Sequence, residues 1–192
     1  MMSGDGRLTL AEAQEAAEEL VTDMRPYAGR LEVAGSIRRL KPDVGDIDIV
    51  AEPLPADRFS LFGYAHSLDQ WFRERLKGGV VEMGEPAKDG KAAPKGPGVY
   101  RFRYRGVNVD LYVVTPPANY WVILAIRTGP ADYNVYVVKK AGERGVVFRG
   151  GHLEREKDGR ILNAANEQAV YALCGVPWLS PAERERWRTH IT

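Results

Sequence analysis

Apolar positions along this chain recur with two periods, and the changes from one to the other predict its elements. Leu10, Ala13, Ala17, Leu20, Val21 and Met24 return at helical spacing. Thr9 with Glu12 three residues on has the pattern of a capping box that starts a helix, and Pro26 ends the run. Residues 31–34 read as a strand leading into Gly35-Ser36, and residues 46–50 alternate polar with apolar. Phe59, Phe62, Leu68, Trp71, Phe72 and Leu76 form the buried stripe of a second helix over 58–76. A short strand is expected at 80–83, then a mobile loop over 84–98, rich in Gly, Pro, Ala and Lys. Residues 100–105 and 107–114 form two strands joined by a tight turn at Arg105-Gly106. Pro116-Pro117 closes that unit, and a helix follows near 120–127.

From Thr128 the character changes. Pro130 fits the first turn of a helix ending near Gly142 or Gly145. Short strands and turns follow, with Gly150-Gly151 and Asp158-Gly159 as punctuation, then a helix near 166–173. The pattern predicts an α+β fold: a mixed sheet flanked by helices over 9–127, then a smaller α/β unit over 128–192. No internal repeat is visible.

Composition narrows the class of protein. Of 192 residues, 44% are apolar and 28% charged, as in ordinary soluble globular proteins. A net charge of +1 excludes a non-specific polyanion coat but leaves nucleic-acid binding open, since binding depends on where charges cluster. Cys174 is the only cysteine, which excludes an internal disulfide framework and a cysteine zinc site and suits a reducing, intracellular setting. The N-terminal residues lack the pattern of a secretory signal, and the apolar stretch around 121–126 falls far short of the ~20 residues a membrane span needs.

The candidate chemistry lies in three aspartates. Asp46 and Asp48 are two apart in an alternating strand, so both point to one face while Ile47 and Ile49 point to the other. In the 107–114 strand, Asn108, Asp110 and Tyr112 share the face opposite Val107, Val109, Leu111 and Val113. Two neighbouring strands can thus bring three carboxylates together. Such a group resists ionisation unless cations neutralise it, and Mg²⁺, which wants octahedral oxygen ligands, is its natural partner. Two such ions can serve an in-line displacement, activating a hydroxyl and stabilising a leaving pyrophosphate, and Mn²⁺ can substitute.

Just upstream, Gly35-Ser36-Ile37-Arg38-Arg39 follows a predicted strand. A Gly-Ser turn exposes backbone N–H groups and a hydroxyl, and a following helical turn adds its positive end, a sensible seat for a triphosphate. Arg38 or Arg39 would supply the guanidinium.

Taken together, Gly35-Ser36-x-Arg38-Arg39 and Val44-Gly45-Asp46-Ile47-Asp48-Ile49 resemble the nucleotidyltransferase signature of the family-X DNA polymerases. Thr128-Gly129-x-x-x-Tyr133-Asn134 resembles that family's T-G-x-x-x-[FYH]-N helix, and 166–185 its thumb ending, a helix running into Gly-x-Pro and P-x-x-R-E. The resemblance covers about residues 9–186. It implies a nucleotidyltransferase palm at 9–127 and a thumb at 128–192, with DNA as primer-template or gapped duplex and dNTP or rNTP as substrates. It further implies that Asp46 and Asp48 bind both metals and that Asp110 binds the catalytic one. Gly35, Ser36, Arg39 and Gly45 would hold the triphosphate, and Asn134 would approach the base.

Three departures from the family pattern stand out. Ile126 and Arg127 replace the Tyr-Phe against which the incoming sugar packs, and Val138 stands where vertebrate members carry an arginine near the template base. No lyase or helix-hairpin-helix region precedes the first helix, so a minimal palm-and-thumb monomer is expected, cellular or virus-encoded. Arg101, Arg103 and Arg105 share a strand face by period two, and with Lys139 and Lys140 they are the candidates for gripping DNA phosphates, Lys88, Lys91 and Lys95 dotting the preceding loop. The expected activity is templated primer extension in gap-filling repair. The alternatives are a template-independent or ribonucleotide-adding transferase, and a non-catalytic DNA-binding module. His66, His152 and His190 show no metal-ligand spacing, and the four tryptophans and Cys174 read as packing residues.

Overall fold

A computed structural model describes residues 7–55, 66–84 and 98–191. The start of the helix predicted from 58, with Phe59 and Phe62, lies outside the described residues, as do most of the 84–98 loop and Lys88, Lys91 and Lys95.

A short pair, β1 (Leu8–Thr9) with β3 (Asp43–Val44), brackets the first helix, α1 (Leu10–Met24). Thr9 and Glu12 form the expected capping box: Thr9 N–H donates to Glu12 Oε2 at 2.9 Å, and Glu12 N–H donates to Thr9 Oγ1 at 3.3 Å. Ala13, Ala17, Leu20 and Met24 are its buried stripe. The main sheet has the order β2 (Ala28–Val33), β4 (Asp46–Pro53), β7 (Val107–Val113), β6 (Val99–Tyr104), β5 (Glu82–Met83). β4 and β7 run parallel and the other pairs antiparallel. β2 starts at Ala28, earlier than its sequence suggests, because its first residues pair with the end of β4, Ala28 opposite Pro53. The β6–β7 turn has positive φ at both Arg105 and Gly106, the twist that a two-residue hairpin favours.

One face of this sheet, with Ile47, Ile49, Ala51, Phe102, Val109 and Leu111, packs against α1 and α3 (Ser67–Lys77) in the larger core. His66 caps α3, its Nδ1 accepting from Asp69 N–H at 3.0 Å. The other face is covered only in part. Val50 and Tyr112 pack under α4 (Tyr120–Thr128) through Tyr120 and Leu124, and the carboxylate end lies beyond that cover.

The C-terminal unit contains α5 (Ala131–Gly142), the antiparallel sheet β8 (Val146–Arg149), β9 (His152–Arg155) and β10 (Ile161–Leu162), and α6 (Glu167–Cys174). Val122 and Ala125 of α4 belong to its core with Tyr133, Val137, Leu153, Val170, Tyr171 and the buried Cys174. α4 therefore sends alternate faces into both halves, and the boundary read at 127 falls at its end. Asn119 fixes its start: Oδ1 accepts from Trp121 and Val122 N–H, and Nδ2 donates to Ala164 O at 3.1 Å.

A buried ion-pair network joins the halves. α2 (Gly35–Arg38) presents Arg38, whose guanidinium donates to both oxygens of Glu167 (2.8 and 3.0 Å) and to Thr128 Oγ1 (2.8 Å). Arg184, fully buried, donates to Glu167 Oε1 at 3.0 Å and to Leu179 O. Burial alone would raise the Glu167 pKa, but Arg38 and Arg184 outweigh it and hold the carboxyl below its ordinary value. Glu167→Ala would leave Arg184 without its carboxylate and Arg38 with only the longer ion pair to Glu32 at 3.7 Å, and is expected to cost about 3–5 kcal/mol in denaturant unfolding at pH 7. Because the native pKa lies below the unfolded one, this stabilisation is complete above the ordinary glutamate value of 4.5 and is lost as pH falls through the native value. The stability gap between wild type and Glu167→Gln should therefore narrow on acidification. A gap that widened would contradict the ion-pair account.

Candidate active site

The parallel register of β4 and β7 sets Asp48 opposite Asp110 and Asp46 opposite Asn108. Neighbouring strands stand about 4.8 Å apart, so the three carboxylates occupy one small patch on the face that α4 leaves open. Burial and mutual charge together alter the acidity of the β4 pair. Burial first, then the charges of Asp46 and Asp110, pushes Asp48 up to about 7. Asp46, more open to solvent, is also raised, by the protein around it and by Asp110, while Arg7 and Arg39 pull it back. Tyr112 lies on the same face, and its hydroxyl donates to Asp110 Oδ2 at 3.1 Å. Burial drives that phenol far above its ordinary pKa, so it remains a donor.

Gly35 and Ser36 open α2 directly against this patch. Ala34 N–H donates to Asp48 O at 2.8 Å, and Gly35 has φ +58°, where a Cβ would overlap the Asp48 carboxylate. Both the backbone conformation and the close approach require glycine here. The Ser36 hydroxyl is buried without a hydrogen-bond partner among the described residues. The helical turn expected after Gly-Ser is only four residues long, so its summed dipole is small, and the turn's contribution is close approach and the unpaired hydroxyl. Gly45 lies under the Arg7 guanidinium, 3.8 Å from where its Cβ would be.

The predicted cations divide into two groups. Arg39 remains near Asp46, its Nε donating to Glu185 and its Nη1 to Thr128 O. Gly129, with φ +69°, admits it: a Cβ there would meet Arg39 Nη1 at 3.1 Å. A cleft of about 500 Å³ opens beside it, lined by Leu40, Lys41, Glu183 and Arg186 among others. Arg101 faces Asp110 across β6–β7, Nε to Oδ1 at 3.3 Å. Arg127 lies 4.1 Å from the Tyr112 ring centre. Arg7, which the sequence reading did not single out, carries no motif; only the tertiary fold brings it to Asp46.

Other candidates are not brought to the carboxylates. Arg38 is taken up by the Glu167 network described above. Ile126 packs onto the C-terminal core. Arg105 does not share a face with Arg101 and Arg103, because β6 ends at Tyr104 and the turn directs its guanidinium to Glu19 of α1 at 2.8 Å. Arg103 donates to Gly106 O at 2.9 Å. Asn134 Nδ2 donates to Ile126 O at 2.7 Å, tying α5 to the end of α4. Lys139 is exposed on α5, and Lys140 pairs with Glu143 at 2.7 Å.

The donor set suits a hard divalent cation: only oxygen ligands, two carboxylates whose pKa is raised by burial and by the neighbouring carboxylates, and a buried serine hydroxyl with no partner among the described residues. Among the described residues, no three His, Cys, Asp or Glu side chains already stand at coordinating distance. Asp110 has both oxygens engaged, by Arg101 and by Tyr112.

Comparison with known proteins bears on the fold that carries this site. Residues 123–185 match the family described as DNA polymerase beta thumb. No curated protein matches the chain. Its fold resembles Leishmania infantum polymerase beta in two solved structures. The ternary P/T complex matches at 18% identity and TM-score 0.69, covering 93% of this chain and 76% of that one. The ternary gap complex matches at 17% identity and TM-score 0.71, covering 93% and 71%. The chain is thus polymerase beta-like in fold, and the match to the thumb family begins inside α4.

The crowded carboxylates carry a measurable cost. The native pKa of Asp48, about 7, lies above the ordinary 3.8, so the penalty for ionising it sets in above the unfolded value and is complete above the native one. Without divalent cations, Asp48→Asn is expected to stabilise the fold above pH 7 by about 1–4 kcal/mol, and the gain should vanish below about pH 4. A wild type more stable than the variant at pH 8 in chelator would refute this.

Proposed function

We propose that this chain is a metal-dependent nucleotidyltransferase that extends a DNA primer on a template, most simply in gap-filling repair. The observation that carries the reading is the β4–β7 register, which groups Asp46, Asp48 and Asp110 against Gly35-Ser36 in a polymerase beta-like fold with a matching thumb. In this reading residues 9–127 are the palm and 128–192 the thumb.

The reaction forms a bond between a primer 3′-oxygen and the α-phosphorus of a nucleoside triphosphate and breaks the bond to the bridging oxygen, releasing pyrophosphate. Asp46, Asp48 and Asp110 would hold two divalent cations, Mg²⁺ or Mn²⁺. When bound, such ions lower the pKa of the attacking hydroxyl and neutralise charge on the leaving group. Ser36 and the backbone at Gly35 and Gly45 receive the triphosphate. Arg39, held by Glu185 in the absence of ligand, turns its fork to phosphate. Asn134, at the start of α5, borders the base, and Arg103 with the exposed Lys139 meets DNA phosphate. Among the described residues no helix is long and apolar enough to cross a membrane.

A second reading rests on Arg127. It lies over Tyr112 at the edge of the carboxylate patch while Ile126 is drawn into the C-terminal core, so neither offers the incoming sugar an aromatic face. This favours tolerance of ribonucleotides. Both readings are tested by incubating the protein with Mg²⁺, a labelled primer and each single dNTP or rNTP, with the primer alone, on an open template, or in a one-nucleotide gap. Extension by the complementary nucleotide is expected, reduced about 10²–10³-fold or more in Asp110→Ala. Untemplated addition would make the chain a terminal transferase, and no extension on any substrate would defeat the proposal.

A further inference from the structure

Asp110 is the most fully engaged of the three carboxylates, and its partners lie on its own sheet. β6 pairs with β7 so that Arg101 is directly across from Asp110, and the Nε of Arg101 stands 3.3 Å from Oδ1. On the other side, Tyr112, two residues along β7 on the same face, donates its hydroxyl to Oδ2 at 3.1 Å. Arg127 covers the Tyr112 ring at 4.1 Å and adds a second positive charge behind the donor. The Arg101 and Asp110 side chains are 28% and 22% exposed, so solvent screens the pair less than an open surface pair.

We propose that Arg101 is a positioning residue that acts as the internal counter-cation of Asp110, and that a divalent cation must displace it to gain its third carboxylate. This deepens the proposed function and rests on the metal-binding reading of the site. An arginine cannot be deprotonated to leave, so its charge always opposes an arriving cation. The pair leaves Asp110 with one oxygen on Arg101 and the other on the Tyr112 hydroxyl, so a cation that takes Asp110 as a ligand must compete with both. In the free protein Arg101 lowers the repulsion among three crowded carboxylates at the expense of cation affinity. The role differs from phosphate gripping because Arg101 is directed inward to Asp110, while its strand neighbour Arg103 bonds the hairpin turn.

The test uses the full chain without nucleotide or DNA. Mn²⁺ alone is titrated, and free Mn²⁺ is read by electron paramagnetic resonance. Arg101→Gln is expected to bind Mn²⁺ about three- to tenfold more tightly than wild type, and Arg101→Lys, which keeps the charge, to remain near wild type. Arg101→Met, which retains the aliphatic stem, repeats the measurement should glutamine disturb folding. Affinity unchanged or weakened in both the Gln and Met variants overturns the proposal. If wild-type binding is nevertheless abolished by Asp48→Asn, the metal site itself survives that failure. Absence of Mn²⁺ binding in wild type and all variants overturns the proposal and the metal reading together.

Discussion

Mutual repulsion among Asp46, Asp48 and Asp110 is the constraint around which this end of the molecule is organised. A parallel strand pair forces Asp48 and Asp110 side by side, and the charges cannot separate without breaking β4 from β7. The protein responds by gathering cations from four separate places in the chain. Arg7 precedes β1, Arg39 caps the C-terminus of α2, Arg101 lies across on β6, and Arg127 stands near the end of α4. The carboxylate most shielded from solvent of the β4 pair, Asp48, has the most perturbed acidity, and only glycine fits against it at position 35. Such strain is characteristic of sites held for chemistry rather than for stability.

A second organising contact is the joint between the halves. The adjacent arginines of the Gly-Ser-x-Arg-Arg run have different destinations: Arg38 goes to Glu167 and Thr128, and Arg39 to Glu185 and the Thr128 carbonyl. This gives a physical reason for Thr128-Gly129. The threonine offers one oxygen to each arginine, and the missing Cβ of Gly129 leaves room for the second guanidinium. Two motifs almost ninety positions apart in sequence are thus halves of one contact, and it links the candidate triphosphate seat to the orientation of the C-terminal unit. α4 reinforces the coupling, since Leu124 and Val122 serve different cores.

The engaged state of these groups unifies the site. Glu185 occupies the arginine that would meet a phosphate, and Arg101 occupies the carboxylate that would meet a cation. In both cases a side chain of opposite charge stands in for the charge that substrate or metal would bring. Under the proposed function, binding would be an exchange of ion pairs rather than the creation of new ones, which would moderate affinity.

Much of the local structure was legible in the residues themselves, because it depends on neighbours within a turn or a strand. The capping box at Thr9, the alternation that puts Asp46 and Asp48 on one face, the hairpin at Arg105-Gly106 and the stripe of Leu68, Trp71 and Phe72 all rest on spacings of two to four residues. The fold class followed from the same patterns, and the family-X resemblance agrees with the thumb match and the polymerase beta-like fold. The fate of the charges was not legible. Nothing in Arg38-Arg39 says that one guanidinium is buried on Glu167 while the other borders the carboxylates, and period two misplaced Arg105 because the hairpin turn carries it away to Glu19. Arg7 reaches the site only when β1 pairs with β3, and Arg101 acquires its partner only when β6 pairs with β7. A charge's role is set by what lies a few ångströms away in space, and for these side chains that neighbour is supplied by tertiary structure alone.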